Sequence, residues 1–394
     1  MNTTLDQTIT SFFKKQFGAN PVHVVHAPGR LELIGNHTDY NAGLVMGIAV
    51  DKYISMASSP RTDGKIELAS SAYPEKERFA FDDLRKNEAA PWANYIKGVL
   101  EQLRKRRVHF GGFNAALVGT IPMGSGLSSS AALEVATALT IRRLFPYSLT
   151  SASQVHPNAP LNNQEKLEIA KLCQAAENQF VGVQSGLLDQ ICCLFGQANH
   201  AIEIDCQSLG ITPVPMLGDI AIIVCHSGVK RELAAGDYNE LRRQCEAAAS
   251  KLGVKALRAV DPQKLEANRN KLSEREYQCA AHVVGEIQRV TFGARALRAT
   301  DLVQFGQYMY QSHASSRDLF KNSTKALDQL VELASKQPGC LGARLTGGGF
   351  GGATINLVKR EAAADFMRNM ASQYEAQTGR KTEPMLCQIV DAAK

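Results

Sequence analysis

The chain has 394 residues, 44% of them hydrophobic and 21% charged, with 44 basic against 38 acidic side chains and a formal net charge of +6. This is the composition of a soluble globular protein long enough for two cores. No run approaches the roughly 18–20 apolar residues of a membrane span, and residues 1–15 lack the apolar stretch of a secretory signal. The densest basic cluster, Arg104-Lys105-Arg106-Arg107, reads as a solvated helix end; a nucleic-acid patch needs more clustering and interleaved aromatics. The nine cysteines are odd in number and form no C-x-x-C pair, which argues against a disulfide framework or a zinc site and for a reducing, cytoplasmic location.

In chain order, residues 22–26 and 44–55 read as strands rich in Val and Ile. Between them, Ala27-Pro-Gly-Arg-Leu-Glu-Leu-Ile-Gly-Asn-His-Thr-Asp-Tyr-Asn41 is expected to place Arg30, Asn36, His37 and Asp39 in one polar loop. Such a set suits a ligand with many hydroxyls, although a polar turn with an N-cap Asp gives the same pattern. Strands follow at 65–69 and 113–118, flanking a helix at 92–106 with apolar residues at helical spacing.

The segment 119–134 holds Met123-Gly-Ser-Gly-Leu-Ser-Ser-Ser130 just before a helix at 131–144. Glycines 124 and 126 let backbone N–H groups converge on an anion, the helix start adds its partial positive charge, and the serines offer hydroxyls to phosphate or metal. No Lys follows, so this is not the common P-loop, and a Gly/Ser turn capping a helix is the bland alternative. A loop is expected over 146–163 and a helix over 164–180. Then Glu177 and Asp189 flank a Gly-containing turn, where one carboxylate could ligate a metal and the other accept a hydroxyl proton. Strands at 201–204 and 219–226 precede long helical patterns over 233–336. The Gly-rich run Leu345-Thr-Gly-Gly-Gly-Phe-Gly-Gly352 is entropically costly unless a close backbone approach is needed, and a strand follows at 353–358. Interleaved strands and helices in both halves predict an α+β, two-domain architecture, divided as 1–200 and 201–394.

These segments, in this order, resemble the galactokinase family of the GHMP small-molecule kinase superfamily, over nearly the whole chain. The resemblance implies the two-domain GHMP kinase fold with an active site in the cleft between domains. It implies an ATP- and Mg²⁺-dependent phosphorylation of the anomeric hydroxyl of galactose, by a monomer that binds a small sugar and ATP but no nucleic acid or membrane. Asp189 and Arg30 would be the catalytic pair, and Asn36, His37, Asp39, Gly186 and Tyr238 would line the sugar pocket. Gly124, Ser125, Gly126, Leu127, Ser128, Ser129, Ser130 and Gly348 would hold the nucleotide, with Trp92 flanking adenine or simply packing in the core; Ser130 and Glu177 would hold Mg²⁺.

The chain departs from the family pattern at three places, all on the sugar side. Asn36 stands where the family usually has Glu, Leu31-Glu32 where it has Val-Asn, and Met46-Gly47 where it has Leu-Pro. Asn36 replaces a charged acceptor by a neutral amide, and hydrogen bonds to charged groups are worth about 1.5–3 kcal/mol against about 0.5–1.5 for neutral ones. The expectation is about tenfold weaker galactose binding, or a shift to another hexose, a hexosamine or a uronic acid. A non-catalytic sugar and ATP sensor is the alternative of a different class; Asp189, Arg30, Glu177 and the Ser130-Ala131 pair argue against it.

Overall fold

The computed structural model of the chain describes residues 3–122, 126–151, 155–229 and 234–394. Strand β1 (His23–Ile34) runs antiparallel to the long β2 (Leu44–Pro60). The segment around Arg30 is therefore strand, not loop. Pro28 and Gly29 mark a register shift inside the ladder, a bulge that bends the strand without ending it. Leu31, Leu33 and Ile34 beyond it are fully buried, so apolar burial carries the strand past the punctuation.

The seven-stranded sheet follows the order β4 (Tyr73–Ala80), β3 (Lys65–Ser70), β5 (Phe113–Gly119), β2, β6 (His200–Asp205), β7 (Gly210–Pro215), with β1 also on β2. Helix α1 (Thr3–Phe17) buries Ile9 and Phe13 against it. Helices α2 (Ala93–Lys105), α3 (Ser129–Leu144), α4 (Asn163–Ala175) and α5 (Leu188–Phe195) pack together, with α3 and α5 on β1 and β2. The loop expected over 146–163 is anchored by Glu165, which accepts from Ser148 Oγ, Leu149 N and Thr150 Oγ1.

The second sheet is antiparallel, in the order β11 (Met385–Cys387), β8 (Ile220–His226), β10 (Ala353–Lys359), β9 (Cys340–Thr346). The division expected after residue 200 falls at the first residue of β6, and β6 and β7 still pair into the first sheet. Helices α6 (Ala234–Lys251), α7 (Pro262–Ala267), α8 (Glu274–Arg298), α9 (Leu302–Ser315), α10 (Lys325–Ser335) and α11 (Ala363–Thr378) complete this half. Helix α8 opens with a capping box, Ser273 with Glu276, which satisfies two orphan backbone donors. It packs on α6 and α9 and also reaches β1 and β2, placing Val290 and Ala294 in the core shared with the first sheet.

Helix α9 crosses β9 at two glycines. A Cβ on Gly306 would lie 2.0 Å from the Leu341 carbonyl oxygen, and one on Gly342 2.5 Å from the Gly306 Cα. Backbone cannot yield as a flexible side chain does. Gly306→Ala is therefore expected to destabilise the fold by roughly 1–3 kcal/mol through overpacking. Thermal unfolding of the variant checks this, and an unchanged Tm contradicts the crossing.

Candidate active site

A cavity of about 470 Å³ opens between the two halves, within the range of small-molecule sites. It collects Arg30, Asn36, His37, Asp39, Gly126, Leu127, Ser128, Ser129, Ser130, Glu177, Gly186, Asp189, Tyr238 and Gly348. Gly124 and Ser125 lie outside the described residues. Trp92 is not in the lining; its ring stacks on Tyr73 with centroids 5.7 Å apart and planes 6° from parallel.

At the centre, β1 presents Arg30 and the first turn of α5 presents Asp189. Arg30 Nε donates to Asp189 Oδ1 at 2.6 Å, and Nη1 donates to the Gly126 carbonyl at 2.6 Å. Ser128 Oγ donates to the other oxygen of Asp189. Ser128 is the N-cap residue of α3, yet it sits in the left-handed region at φ 55° and makes no side-chain cap. Its hydroxyl serves Asp189 instead, a local cost of the kind found at functional sites. Burial works against the Arg30 charge, but the Asp189 carboxylate more than offsets it and holds the guanidinium above its ordinary value.

The polar turn after β1 is fixed from the other half of the molecule. Glu286 on α8 accepts from Gly35 N and Asn36 N, both at 2.9 Å, and from Ser312 Oγ on α9 at 2.9 Å. Burial alone would raise its pKa; Arg289, His282 and Arg344 pull it well below the usual carboxylate range. His37, itself at φ 60°, contacts the Tyr40 hydroxyl at 2.8 Å and the Gly348 carbonyl at 3.2 Å. Its ring lies 4.9 Å from that of Tyr238 on α6 and 4.6 Å from that of Phe320. Gly348, expected on the nucleotide side, thus lies against the polar turn. Asp39 accepts from Tyr40 N at 2.9 Å. Burial, with the nearby Glu32 and Asp189 charges, raises its pKa to about 6. A Cβ on Gly186 would fall 1.6 Å from Asp39 Oδ2, so only glycine lets that carboxylate occupy its place.

On the opposite side, Ser129 and Ser130 form the first turn of α3, where backbone N–H groups and the helix dipole favour an anion. Glu177 occupies a π-type turn (Ala176–Val181) that follows α4, where the expected single helix over 164–180 changes its winding; such turns recur at functional sites. Glu177 accepts from Ser185 Oγ and from Gln190 Nε2, and the nearby Ser130 also favours its charged form. Gln190 bridges it to the fully buried Glu134 at 3.0 Å. Burial raises the pKa of both glutamates.

Among the described residues no group of three His, Cys, Asp or Glu could hold a metal by itself. Mg²⁺ commonly takes one or two protein oxygens and fills its octahedron with water and phosphate oxygens, so a hydroxyl beside a carboxylate fits it.

Sequence reading misses the residues that fix the polar turn: Glu286, Asn322 and Arg344. Arg344 leaves one signal, a charge inside the otherwise apolar strand Cys340–Thr346. Glu286 interrupts a similar apolar stretch of α8. Asn322 leaves none.

Comparison with known proteins shows what the chain is similar to. Residues 11–60 match the galactokinase galactose-binding signature, 94–197 the GHMP kinases N terminal domain and 294–376 the GHMP kinases C terminal domain. The galactokinase of Roseiflexus sp. is 40% identical over 384 residues, covering 96% of this chain and 94% of that protein. The Homo sapiens galactokinase is 40% identical over 390 residues, covering 97% and 94%. The crystal structure of Lactococcus lactis galactokinase complexed with galactose superposes with a TM-score of 0.91 at 32% identity, over 99% of both chains. The chain belongs to the galactokinase family of the GHMP kinases.

Proposed function

We propose that this enzyme transfers the γ-phosphoryl group of ATP to the anomeric C1 hydroxyl of galactose, giving galactose 1-phosphate and ADP. The observation that carries the reading is the Arg30–Asp189 pair standing in one cavity, between the polar turn on one side and the serine-lined start of α3 on the other. His37, Asp39, Gly186 and Tyr238 are assigned to the sugar, with Asn36 expected beside them in the same turn, and residues 124–130 to the phosphates. Trp92 is assigned to the adenine on its match to the family pattern alone. We also propose that the enzyme acts as a monomer in the cytoplasm, in keeping with nine cysteines that form no disulfide. The pairing of β6 and β7 into the first sheet supports moving the domain division to follow Pro215.

In the reaction the C1 oxygen forms a bond to the γ-phosphorus while the bond from that phosphorus to the ADP oxygen breaks. The proton of the C1 hydroxyl passes toward the Asp189 carboxylate, which Arg30 and Ser128 orient. Arg30 is fixed between Asp189 and the Gly126 carbonyl and offsets negative charge gathering on the transferred group. Ser130 and Glu177 would hold Mg²⁺, which when bound neutralises phosphate charge.

Asp189→Asn keeps an acceptor for Arg30 but removes the base. We expect kcat to fall by about 10²–10⁴-fold with ATP binding nearly unchanged by calorimetry; retained turnover removes Asp189 from this role. For Asp39 the sign is set by its raised pKa of about 6: the carboxylate is ionised above that pH and protonated below it. If it accepts from a sugar hydroxyl, KM for galactose rises as pH falls from 7.5 to 5, with the ATP KM much less affected. Initial rates across that range check this, and Asp39→Asn is expected to flatten the profile.

A further inference from the structure

Asn36 has almost nothing left to offer a ligand. Its Nδ2 donates to Glu32 Oε1 at 3.0 Å and to the Gly347 carbonyl at 2.9 Å, and its Oδ1 accepts from Asn322 Nδ2 at 2.8 Å. Two acceptors facing the nitrogen and a donor facing the oxygen fix the orientation of the amide. An Asn side chain has two donors and two lone pairs, so a single lone pair remains, on a residue only 1% exposed.

Glu32 is in the opposite condition. Its Oε1 takes both Asn36 Nδ2 and Arg344 Nη1, the latter at 3.0 Å. Its Oε2 accepts no hydrogen bond from any described residue, yet it is not among the fully buried unpaired atoms. Glu32 lines the cavity beside Asn36, His37 and Asp39, so the open face of this oxygen is turned to the cavity. We propose that Glu32, and not Asn36, is the carboxylate that accepts a hydrogen bond from a hydroxyl of the bound sugar, with Asn36 as the positioning residue that holds it there. This rests on the sugar-kinase reading above and names the specificity-determining residue of that site.

The two departures from the family pattern at 32 and 36 then become one reciprocal exchange. The family's Asn and Glu have traded places across a contact in which the two side chains touch. One carboxylate and one carboxamide are kept, and the buried Arg344 keeps its counter-charge. The expectation of weaker galactose binding, drawn from Asn36 alone, treats one half of the exchange as a loss.

The test measures galactose and ATP kinetics, together with Tm, for the parent chain and for Glu32→Asp, Asn36→Glu and the double exchange E32N/N36E. Turnover of galactose by the parent tests the function by itself; if another sugar is turned over, that sugar replaces galactose in the variant assays. Glu32→Asp retains the charge for Arg344 but withdraws the carboxylate from the cavity. We expect galactose KM to rise about tenfold or more, with ATP KM within about twofold. Asn36→Glu brings two carboxylates into contact and is expected to lower kcat/KM for galactose; E32N/N36E is expected to recover most of it. A series of monodeoxygalactoses supplies a readout that a merely structural effect leaves unmoved. The Glu32→Asp penalty should vanish for the one sugar that lacks the partner hydroxyl and persist for the others. An unchanged galactose KM in Glu32→Asp, an equal penalty across every deoxy sugar, or a gain in kcat/KM from Asn36→Glu alone overturns the assignment. Should the double exchange fail to fold, the deoxy series on Glu32→Asp still decides it.

Discussion

Arg30 and Asp189 are 159 positions apart in the chain, and their meeting in a cleft sets what much of the first half must do. An arginine that is only 7% exposed needs a partner, because an unpaired buried charge is strongly unfavourable. Supplying one requires β1 to continue past its bulge and α5 to begin with its acid on the cavity side. It also requires the chain before α3 to turn back so that the Gly126 carbonyl and the Ser128 hydroxyl reach the pair. Ser128 takes a left-handed conformation and leaves its helix without a side-chain cap to do so. The local rules for a helix start give way here to the electrostatics of the site.

A second set of buried charges ties the two halves together. Glu286 on α8 holds two backbone N–H groups of the turn after β1, and Arg289 and Arg344 keep its charge tolerable. Arg344 on β9 in turn pairs with Glu32 on β1. Backbone donors held by a single ionised carboxylate leave the turn little freedom, and charge-assisted bonds of this kind are the stronger ones. The polar-turn side of the cavity is thus held by residues from the second half, none of which need touch a ligand.

That division explains what was legible in the sequence. Arg30, Asp39, Asp189, Glu177 and the serines sit in short segments dense with Gly and polar residues, and such density is visible without a structure. Those among the described residues line one cavity. The partners that fix the polar turn, Glu286, Asn322 and Arg344, are single charged or polar residues 250 or more positions from the residues they hold. No local pattern links such residues. The strand around Arg30 escapes a sequence reading for a related reason. Pro28-Gly29 looks like an end, and only its pairing with β2 reveals a bulge. The π-type turn around Glu177 is likewise invisible to helical periodicity, since its composition continues that of α4.

The same long-range constraint accounts for an exchange between positions 32 and 36. Residue 32 lies on β1 and residue 36 in the turn, yet their side chains touch because the chain folds back after Ile34. The environment requires one negative charge at this contact, to balance a guanidinium with no solvent exposure. It does not require that charge to come from a particular backbone position. Removing it breaks the buried pair with Arg344, at a cost of about 3–5 kcal/mol. Doubling it sets like charges side by side in a region of low dielectric. Between these limits a carboxylate and an amide can trade places with the local charge unchanged, and what moves is the point from which the carboxylate reaches the cavity. A position-by-position reading records two losses; the contact records one substitution of geometry.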